Sequence, residues 1–508
     1  MTPEQTVQDL IVIGGGVNGA GIAMDAAGRG LQVLLCEMDD LASATSSSSS
    51  KLIHGGLRYL EHYEFRLVRE ALAERECLLR NAPHIMWPLR FRLPHRPHLR
   101  PAWMIRAGLF LYDNLARREL LPASNGIRFS PQGPLISEII RGFEYSDGWV
   151  DDARLVVLVA MAAREKGAEI RTRSRAIRAE RDGKLWAVTL RDQRSGAEQV
   201  HYCRALVNAA GPWVSRLFNE AMSIPAPKQI RMVKGSHIVV PRIHDEHQAY
   251  ILQNEDNRIV FVIPYEDNFS LVGTTDVDYQ GDPRDVTISP EETDYLIAVV
   301  NRHFKHQIAA GDVVWSYSGV RPLMDGESDS AQTASRDYAF ETDTAPGKAP
   351  LLSVFGGKIT TYRKLAEAAT NRICQHFPEA RGPWTRTAAL PGGDFDNPHK
   401  LLAQLSRQYP WLPVALARRF VRTYGTLSNR ILEGCSSVND LGTHYGASLY
   451  AREVGYLVDH EWARSAEDIL WRRTKQGLYL QDAERALLET DLANRLQQRP
   501  LELVSSRA

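Results

Sequence analysis

The stretch Asp9 to Glu37, DLIVIGGGVNGAGIAMDAAGRGLQVLLCE, constrains the fold of this chain more than any other. Its apolar run Leu10 to Ile13 predicts a short buried strand. The run breaks into Gly14, Gly16 and Gly19, the G-x-G-x-x-G spacing of a dinucleotide fold. A helix is expected next, with small residues at Gly19, Ala20, Ala23 and Ala26 that let it pack closely on a sheet. A second strand, Gln32 to Leu35, then delivers Glu37. Glycine permits the tight turn and lets backbone approach a pyrophosphate. The helix N-terminus offers free N–H groups and the positive end of its dipole, and the carboxylate can accept ribose hydroxyls. An acid at Glu37 favours an unphosphorylated ribose, hence FAD or NAD rather than NADP. An ordinary glycine-rich turn can share the spacing, but here strand, turn, helix and terminal acid come in order.

The rest of the composition sets bounds. A chain of 508 residues suggests two or three domains, and its zero formal net charge gives no bulk electrostatic case for nucleic acid. Cys36, Cys77, Cys203, Cys374 and Cys435 are scattered with no C-x-x-C pair, so neither structural zinc nor a disulfide framework is expected. No metal site is expected, and a reducing, cytosolic setting is favoured. The first strand begins almost at once, leaving no room for a signal peptide. No apolar run approaches the ~20 residues of a membrane-spanning helix.

After Glu37 the run Ser46 to Ser50 has the composition of a flexible linker. It lies, however, between a cofactor strand and an amphipathic helix starting near Glu64. A hydroxyl-rich loop with Thr45 and Lys51 can instead donate to pyrophosphate and flavin oxygens. His54-Gly55-Gly56-Leu57-Arg58-Tyr59 then places His, Arg and Tyr in one short turn that can approach a ligand, although Arg58 could equally serve a structural salt bridge.

From Pro88 to Arg118 seven arginines face a single acid, Asp113. An extended, prolyl half gives way to a helical half with Trp103, Met104, Ala107, Phe110, Leu111 and Leu115 on one side. Cations beside such a stripe suit an anionic membrane surface. The alternative is a stripe packed on its own protein.

Beyond Phe143 a long helix, a strand Glu169 to Thr172, a segment Ala176 to Glu180 and a small antiparallel meander lead to the strand Ala205 to Val207. Asn208-Ala209-Ala210-Gly211-Pro212-Trp213 comes next, where backbone can lie against a dinucleotide. Lys234 to Trp315 reads as short alternating strands, a sheet laid over the cofactor's reactive end. After Ser318-Gly319-Val320-Arg321-Pro322-Leu323 the pattern returns to α/β: strand Leu351 to Phe355, Gly356-Gly357-Lys358-Ile359-Thr360, then a helix suited to an anion at its N-terminus. The tail is helical. The expected organisation is a dinucleotide domain in three pieces (1–85, 143–230, 319–391), a basic amphipathic insertion (86–142), a β-rich substrate domain (231–318) and a helical domain (392–508).

These motifs resemble a known family. GGGVNGAGIAMDAAGRGL, SSKLIHGGLRYLEHYEFRLVREALAERE, RGFEYSDGWVDDARL, KGSHIVVPR, AYILQNED, GTTD, YSGVRPL, APLLSVFGGKITTYRKLAE and VDHEWARSAEDILWRRTKQG are similar to the FAD-dependent sn-glycerol-3-phosphate dehydrogenases of aerobic respiration, bacterial type. The likeness covers nearly the whole chain and weakens between 170 and 205. It implies an α/β fold: a Rossmann-like FAD domain of the D-amino-acid-oxidase and glutathione-reductase type, an antiparallel β substrate domain and an all-α C-terminal cap. It further implies non-covalent FAD, oxidation of sn-glycerol 3-phosphate to dihydroxyacetone phosphate, and electrons passed to ubiquinone. A homodimer, peripheral on the cytoplasmic face of the bacterial inner membrane, is also implied, with no nucleic-acid partner.

For the flavin, spacing assigns Gly14, Gly16, Gly19 and Glu37. Loop chemistry and the family pattern add Thr45, Ser46, Ser50, Lys51, Leu52, His54, Gly55, Ala176, Ile177, Gly211, Gly356 and Thr360. A phosphate dianion bearing a secondary alcohol needs fixed cations and a proton route. Arg58 and Arg321 supply planar donor forks, Lys358 a compact charge and Tyr59 a hydrogen bond. His237 is the expected base, with His54 its competitor. Motifs alone leave open an oxidase that returns electrons to oxygen, an amino-acid or amine oxidase using Arg321 for a carboxylate, and a non-catalytic flavoprotein.

Overall fold

In the computed structural model, which describes residues 7–96, 99–324 and 337–498 and all their side chains except those of Arg58 and His62, the first glycines follow a fully buried strand. Gln8–Ile13 buries Leu10, Ile11 and Val12 completely. It pairs in parallel with Val33–Cys36 on one side (Ile11 opposite Leu34) and Glu198–Asn208 on the other (Ile11 opposite Leu206). Leu351–Gly356 adds in parallel beyond Glu198–Asn208, and Glu169–Arg171 beyond Val33–Cys36. Tyr338–Asp343 closes one edge antiparallel, and the hairpin Ser174–Asp182 with Leu185–Asp192 pairs antiparallel onto Glu198–Asn208. Strands covered on both faces carry continuous apolar runs rather than alternation. The helix Val17–Gly28 packs beside Asp152–Glu165 and Tyr362–Ile373. The second strand begins one residue later than the sequence pattern predicts, at Val33.

A second sheet is antiparallel except where Ala249–Gln253 runs parallel to Met86–Pro94. Its order is Val277–Asp278, Ile230–Pro241, Phe269–Gly273, Ile259–Tyr265, Ala249–Gln253, Met86–Pro94, Arg141–Val150, Leu52–Ile53. Trp315–Met324 pairs along Ile230–Pro241, from Ile230 opposite Met324 to Val239 opposite Trp315. Leu296, Val299 and Val300 of the helix Pro290–Asn301 cover one face, against Ile238, Val240, Val260 and Val272. This sheet begins well before residue 231. Met86–Pro94, expected in an insertion, lies in its interior and pairs with Arg141–Val150 over its whole length. Pairing between distant segments leaves no mark on local periodicity.

Within the former insertion, the helix Ala102–Asn114 turns Leu109, Tyr112 and Asp113 inward. Trp103 (70 % exposed), Phe110 (64 %), Leu111 (39 %) and Met104 (38 %) face outward, so the stripe is not packed on its own unit.

By its contacts the chain divides into Met1–Ala82 with Met86–Leu390, and Pro83–Ile85 with Pro391–Ala508. The second unit is helical, with Pro398–Gln408, Val414–Tyr424, Ala451–His460 and Asp482–Gln497 as its longer helices. Its core includes the buried Glu453, which accepts from Arg419 at 2.6 Å and from the Tyr424 hydroxyl at 2.6 Å. Among the described residues no helix is long and apolar enough to cross a membrane, and no cluster could hold a metal ion.

Candidate active site

A cleft of about 580 Å³ opens beyond the first parallel strands and reaches the second sheet. Gly14, Gly16, Glu37, Thr45, Ser46, Ser50, Leu52, His54, Tyr59, Ala176, Ile177, Gly211, Arg321, Gly356, Lys358 and Thr360 all line it. Gly14 sits at φ +115°, and a Cβ there would fall 2.4 Å from the Ala209 carbonyl oxygen, so strand and turn approach closely only with glycine. Gly19 does not line the cleft. A Cβ on it would meet the Gly14 oxygen at 1.9 Å, so its part is helix-to-turn packing.

Glu37 accepts the N–H of Gly15 at 2.6 Å and of Asp39 at 2.8 Å. Burial pushes its carboxyl up to about 7, against those two bonds. At the start of the helix Val17–Gly28 the Val17 N–H donates to Ser46 Oγ at 3.0 Å. This donor set, with small residues at Gly14, Gly16 and Ala209 to Gly211, fits a dinucleotide: N–H groups and hydroxyls for the pyrophosphate, and Glu37 for the ribose.

The serine run is tied down at several points and is not a linker. Thr45 donates to the Val320 oxygen at 2.6 Å, and the Ser49 hydroxyl to Asp152 at 2.7 Å. Lys51, expected to reach the cofactor, does not line the cleft. It is buried in an ion pair with Asp152 at 2.7 Å and donates to the Ser47 oxygen at 3.1 Å. A buried ammonium needs a carboxylate, and Asp152 supplies one at a helix N-terminus.

Gly55 also lies behind the cleft wall. Its N–H donates to the Tyr112 hydroxyl at 2.8 Å, and Tyr112 donates to Asp147 at 2.8 Å, which pairs with Arg75 at 2.6 Å. The turn from His54 to Tyr59 thus rests on a buried polar network anchored in the helix Ala102–Asn114. His54 donates its N–H to Thr360 Oγ1 at 3.2 Å. Lys358 Nζ lies 3.7 Å from the centre of the Tyr59 ring. The side chain of Arg58 lies outside the described residues.

Arg321 comes from the strand Trp315–Met324. Its guanidinium donates to Thr274 Oγ1 at 2.8 Å and pairs with Asp276. The neighbouring Thr275 donates to the buried Glu292 at 2.6 Å, as does Ser236 at 2.9 Å. His237 does not line the cleft. It is 1 % exposed, stacked on Tyr317 at 4.8 Å, with Nε2 2.9 Å from Ser50 Oγ. Burial first, then the charges of Arg321 and Lys51, holds this imidazole well below its ordinary range and therefore neutral.

Several lining residues are not among those the sequence motifs assign. Asn18 stands inside the glycine fingerprint and donates to the Gly356 oxygen at 3.2 Å, and Thr274 stands inside GTTD; both were within reach of the motifs. Arg191 and Phe261 carry no local signal.

The model of the FAD dependent oxidoreductase family matches residues 9–363, and that of the C-terminal domain of alpha-glycerophosphate oxidase matches 383–494. The aerobic glycerol-3-phosphate dehydrogenase of Escherichia coli is 57 % identical over 97 % of this chain and 98 % of its own. A glycerol-3-phosphate dehydrogenase of Pseudomonas aeruginosa is 58 % identical over 98 % of this chain and 97 % of its own. The chain belongs to the FAD-dependent glycerol-3-phosphate dehydrogenase family.

A D-erythritol 1-phosphate dehydrogenase of Brucella abortus stands nearby at 50 % identity over 95 % of this chain and 97 % of its own. Among solved structures, a glycerol-3-phosphate dehydrogenase from Bacillus halodurans complexed with FAD superposes with a TM-score of 0.72, at 26 % identity, covering 99 % of this chain and 97 % of that one. As in that dehydrogenase family, the cofactor is FAD, and the protein is an oxidoreductase acting on a CH–OH group. NAD, which the first fingerprint left open, is not the cofactor.

Proposed function

We propose that the protein oxidises sn-glycerol 3-phosphate to dihydroxyacetone phosphate and passes the electrons to a membrane quinone. The observation that carries the reading is the meeting of Arg321, Lys358 and Tyr59, from three distant segments, in the cleft that holds the dinucleotide glycines. Two fixed cations suit a phosphate dianion better than a lone carboxylate, which argues against an amino-acid oxidase. Arg58 is proposed as a third. FAD, held by the residues lining the cleft, would supply the acceptor for the C2 hydride.

The chain's own residues do the rest. Arg321, held by Thr274 and Asp276, and Lys358, set against the Tyr59 ring, bind the phosphate and direct C2 inward. The same cations would stabilise negative charge on a flavin bound in the cleft. The proton of the C2 hydroxyl goes to a histidine: His54 faces the cleft, and His237 stands one hydroxyl behind it.

Delivery of electrons to quinone calls for a membrane partner. The outward stripe of Trp103, Met104, Phe110 and Leu111, with exposed Arg100 and Arg106, supports docking on the anionic inner face of the bacterial membrane. Pairing into a homodimer belongs to the same reading and is checked by sedimentation in detergent.

Anaerobic addition of sn-glycerol 3-phosphate to the FAD-loaded protein tests the proposal. Bleaching of the flavin absorbance is expected, and none would refute the substrate. Longer polyol phosphates belong in the same series, given the Brucella relative's name. Peroxide formed during aerobic turnover would mark an oxidase instead.

A further inference from the structure

Between His237 and the cleft stands one hydroxyl. Ser50 lines the cleft, and its Oγ lies 2.9 Å from His237 Nε2. Both members of this pair are held from behind. The imidazole stacks on Tyr317 with 15° between ring planes, and a Cβ on Gly273 would fall 2.1 Å from its Cδ2, so the ring lies flush against backbone. Its Nδ1 has no hydrogen-bond partner among the described residues, which leaves Ser50 as the polar group it addresses. On the other side Tyr317 donates to the Ser49 oxygen at 2.7 Å, and Ser49 and Lys51 both bind Asp152. Three consecutive residues, Ser49 to Lys51, are thereby fixed with the middle one set between imidazole and cleft.

We propose that Ser50 is a catalytic hydroxyl, which takes the proton of the substrate's secondary alcohol while giving its own to His237. The inference rests on the proposed oxidation of glycerol 3-phosphate. In the step the C2–H bond breaks and its electron pair leaves as hydride for the flavin, while the alcohol O–H bond breaks and C=O forms. The alcohol proton goes to Ser50 Oγ, and the serine's own proton goes to His237 Nε2. Ser50 ends as it began, the imidazole carries the proton, the carbon is oxidised and the flavin reduced, with no further reactant. A serine hydroxyl is too weak a base to keep the proton, and an imidazole that does not reach the cleft is out of range to take it directly; in series each supplies what the other lacks.

The charged groups around the pair set its poise. Arg321 and Lys51 both disfavour an imidazolium, and Asp152 opposes them through its pair with Lys51. A phosphate dianion against Arg321 offsets one of those charges when substrate is present, so proton acceptance is linked to substrate binding.

The test compares the FAD-loaded enzyme with Ser50→Ala, Ser50→Thr, His237→Asn and the Ser50→Ala/His237→Asn pair. Each is mixed anaerobically with sn-glycerol 3-phosphate in H2O and in D2O, and flavin bleaching is followed. Ser50→Ala is expected to retain FAD on gel filtration and to half-saturate within about threefold of the unaltered enzyme. Its limiting rate falls roughly a hundredfold or more, and its solvent isotope effect changes. Ser50→Thr, which keeps the hydroxyl, restores the rate to within about tenfold, and the double variant is no slower than Ser50→Ala by more than about threefold, as residues acting as one unit behave. The proposal is overturned if Ser50→Ala bleaches at close to the unaltered rate, which would assign the proton to another group such as His54. It is equally overturned if Ser50→Ala sheds FAD, which would make Ser50 a cofactor ligand only, or if Ser50→Thr is as slow as Ser50→Ala. An unaltered enzyme that glycerol 3-phosphate does not bleach refutes the substrate itself, before any variant is compared.

Discussion

Arg321 enters the cleft with its guanidinium already bound by Thr274 and Asp276, so little side-chain entropy is left to lose when an anion arrives. Arg321→Ala is expected to raise the substrate concentration for half-saturation at least a hundredfold, the order of a lost charge-assisted bidentate contact, while FAD content stays intact; steady-state kinetics with flavin absorbance checks both. Glu37 gives a pH prediction. Its folded-state value of about 7 exceeds the ordinary 4.5, so between those limits the folded chain keeps a proton the unfolded chain has released. The cofactor-free protein should therefore lose stability as pH rises through that window, by roughly 3 kcal/mol in all, and Glu37→Gln should flatten the slope. Thermal melting of the apoprotein in steps from pH 5 to 8 is the measurement.

The helix Ala102–Asn114 has two faces with different employment. Outward, Trp103 and Phe110 stand well exposed; inward, the Tyr112 hydroxyl joins Asp147 to the Gly55 N–H. Trp103→Ser with Phe110→Ser, or neutralisation of Arg96, Arg100 and Arg106, should reduce co-sedimentation with anionic liposomes, the arginine set in a salt-sensitive way. Stability should change by no more than about 0.5 kcal/mol for each of the exposed Trp103 and Phe110. Tyr112→Phe, in contrast, removes a donor from a buried carboxylate and an acceptor from a buried N–H. It should cost about 1–3 kcal/mol by thermal melting and should weaken substrate binding through the turn that carries Tyr59. That turn was legible as a motif, but its support was not. HGGLRY announces a close backbone approach, whereas the Tyr112 and Asp147 beneath it come from segments with no local signal. Lys51 illustrates the same limit: its charge was visible, and the buried Asp152 that claims it was not.

Over the larger of the two units, the sequence revealed the parallel sheet, since the buried strand Leu10 to Ile13 is a continuous apolar run ending in glycine and Leu351 to Phe355 is one broken only by Ser353. The second sheet was only half legible. Met86–Pro94 was expected in an insertion and most of Arg141–Val150 in the dinucleotide domain, and only their pairing shows that both are interior strands of the second sheet. The cleft draws on segments from Gly14 to Thr360, so FAD adds a further tie between parts of the chain that are distant in sequence. Free FAD should stabilise the protein by about 1.4 kcal/mol for each tenfold excess over its dissociation constant, read as a rising melting temperature across a titration of the apoprotein.

The parallel strand Leu351–Gly356 has one more consequence, which concerns time. It supplies the partner for Leu206 to Asn208 and leads directly into Lys358 and Thr360. A ribosome adding about 5–20 residues per second needs tens of seconds to travel from Gly14 to Gly356. From the time Asn208 is made until Leu351 follows, the edge of Glu198–Asn208 stands unpaired on that side, open to misplaced partners. The cofactor cannot be captured in its finished site until more than two-thirds of the chain has emerged, so the nascent protein passes most of its synthesis as an unfinished sheet.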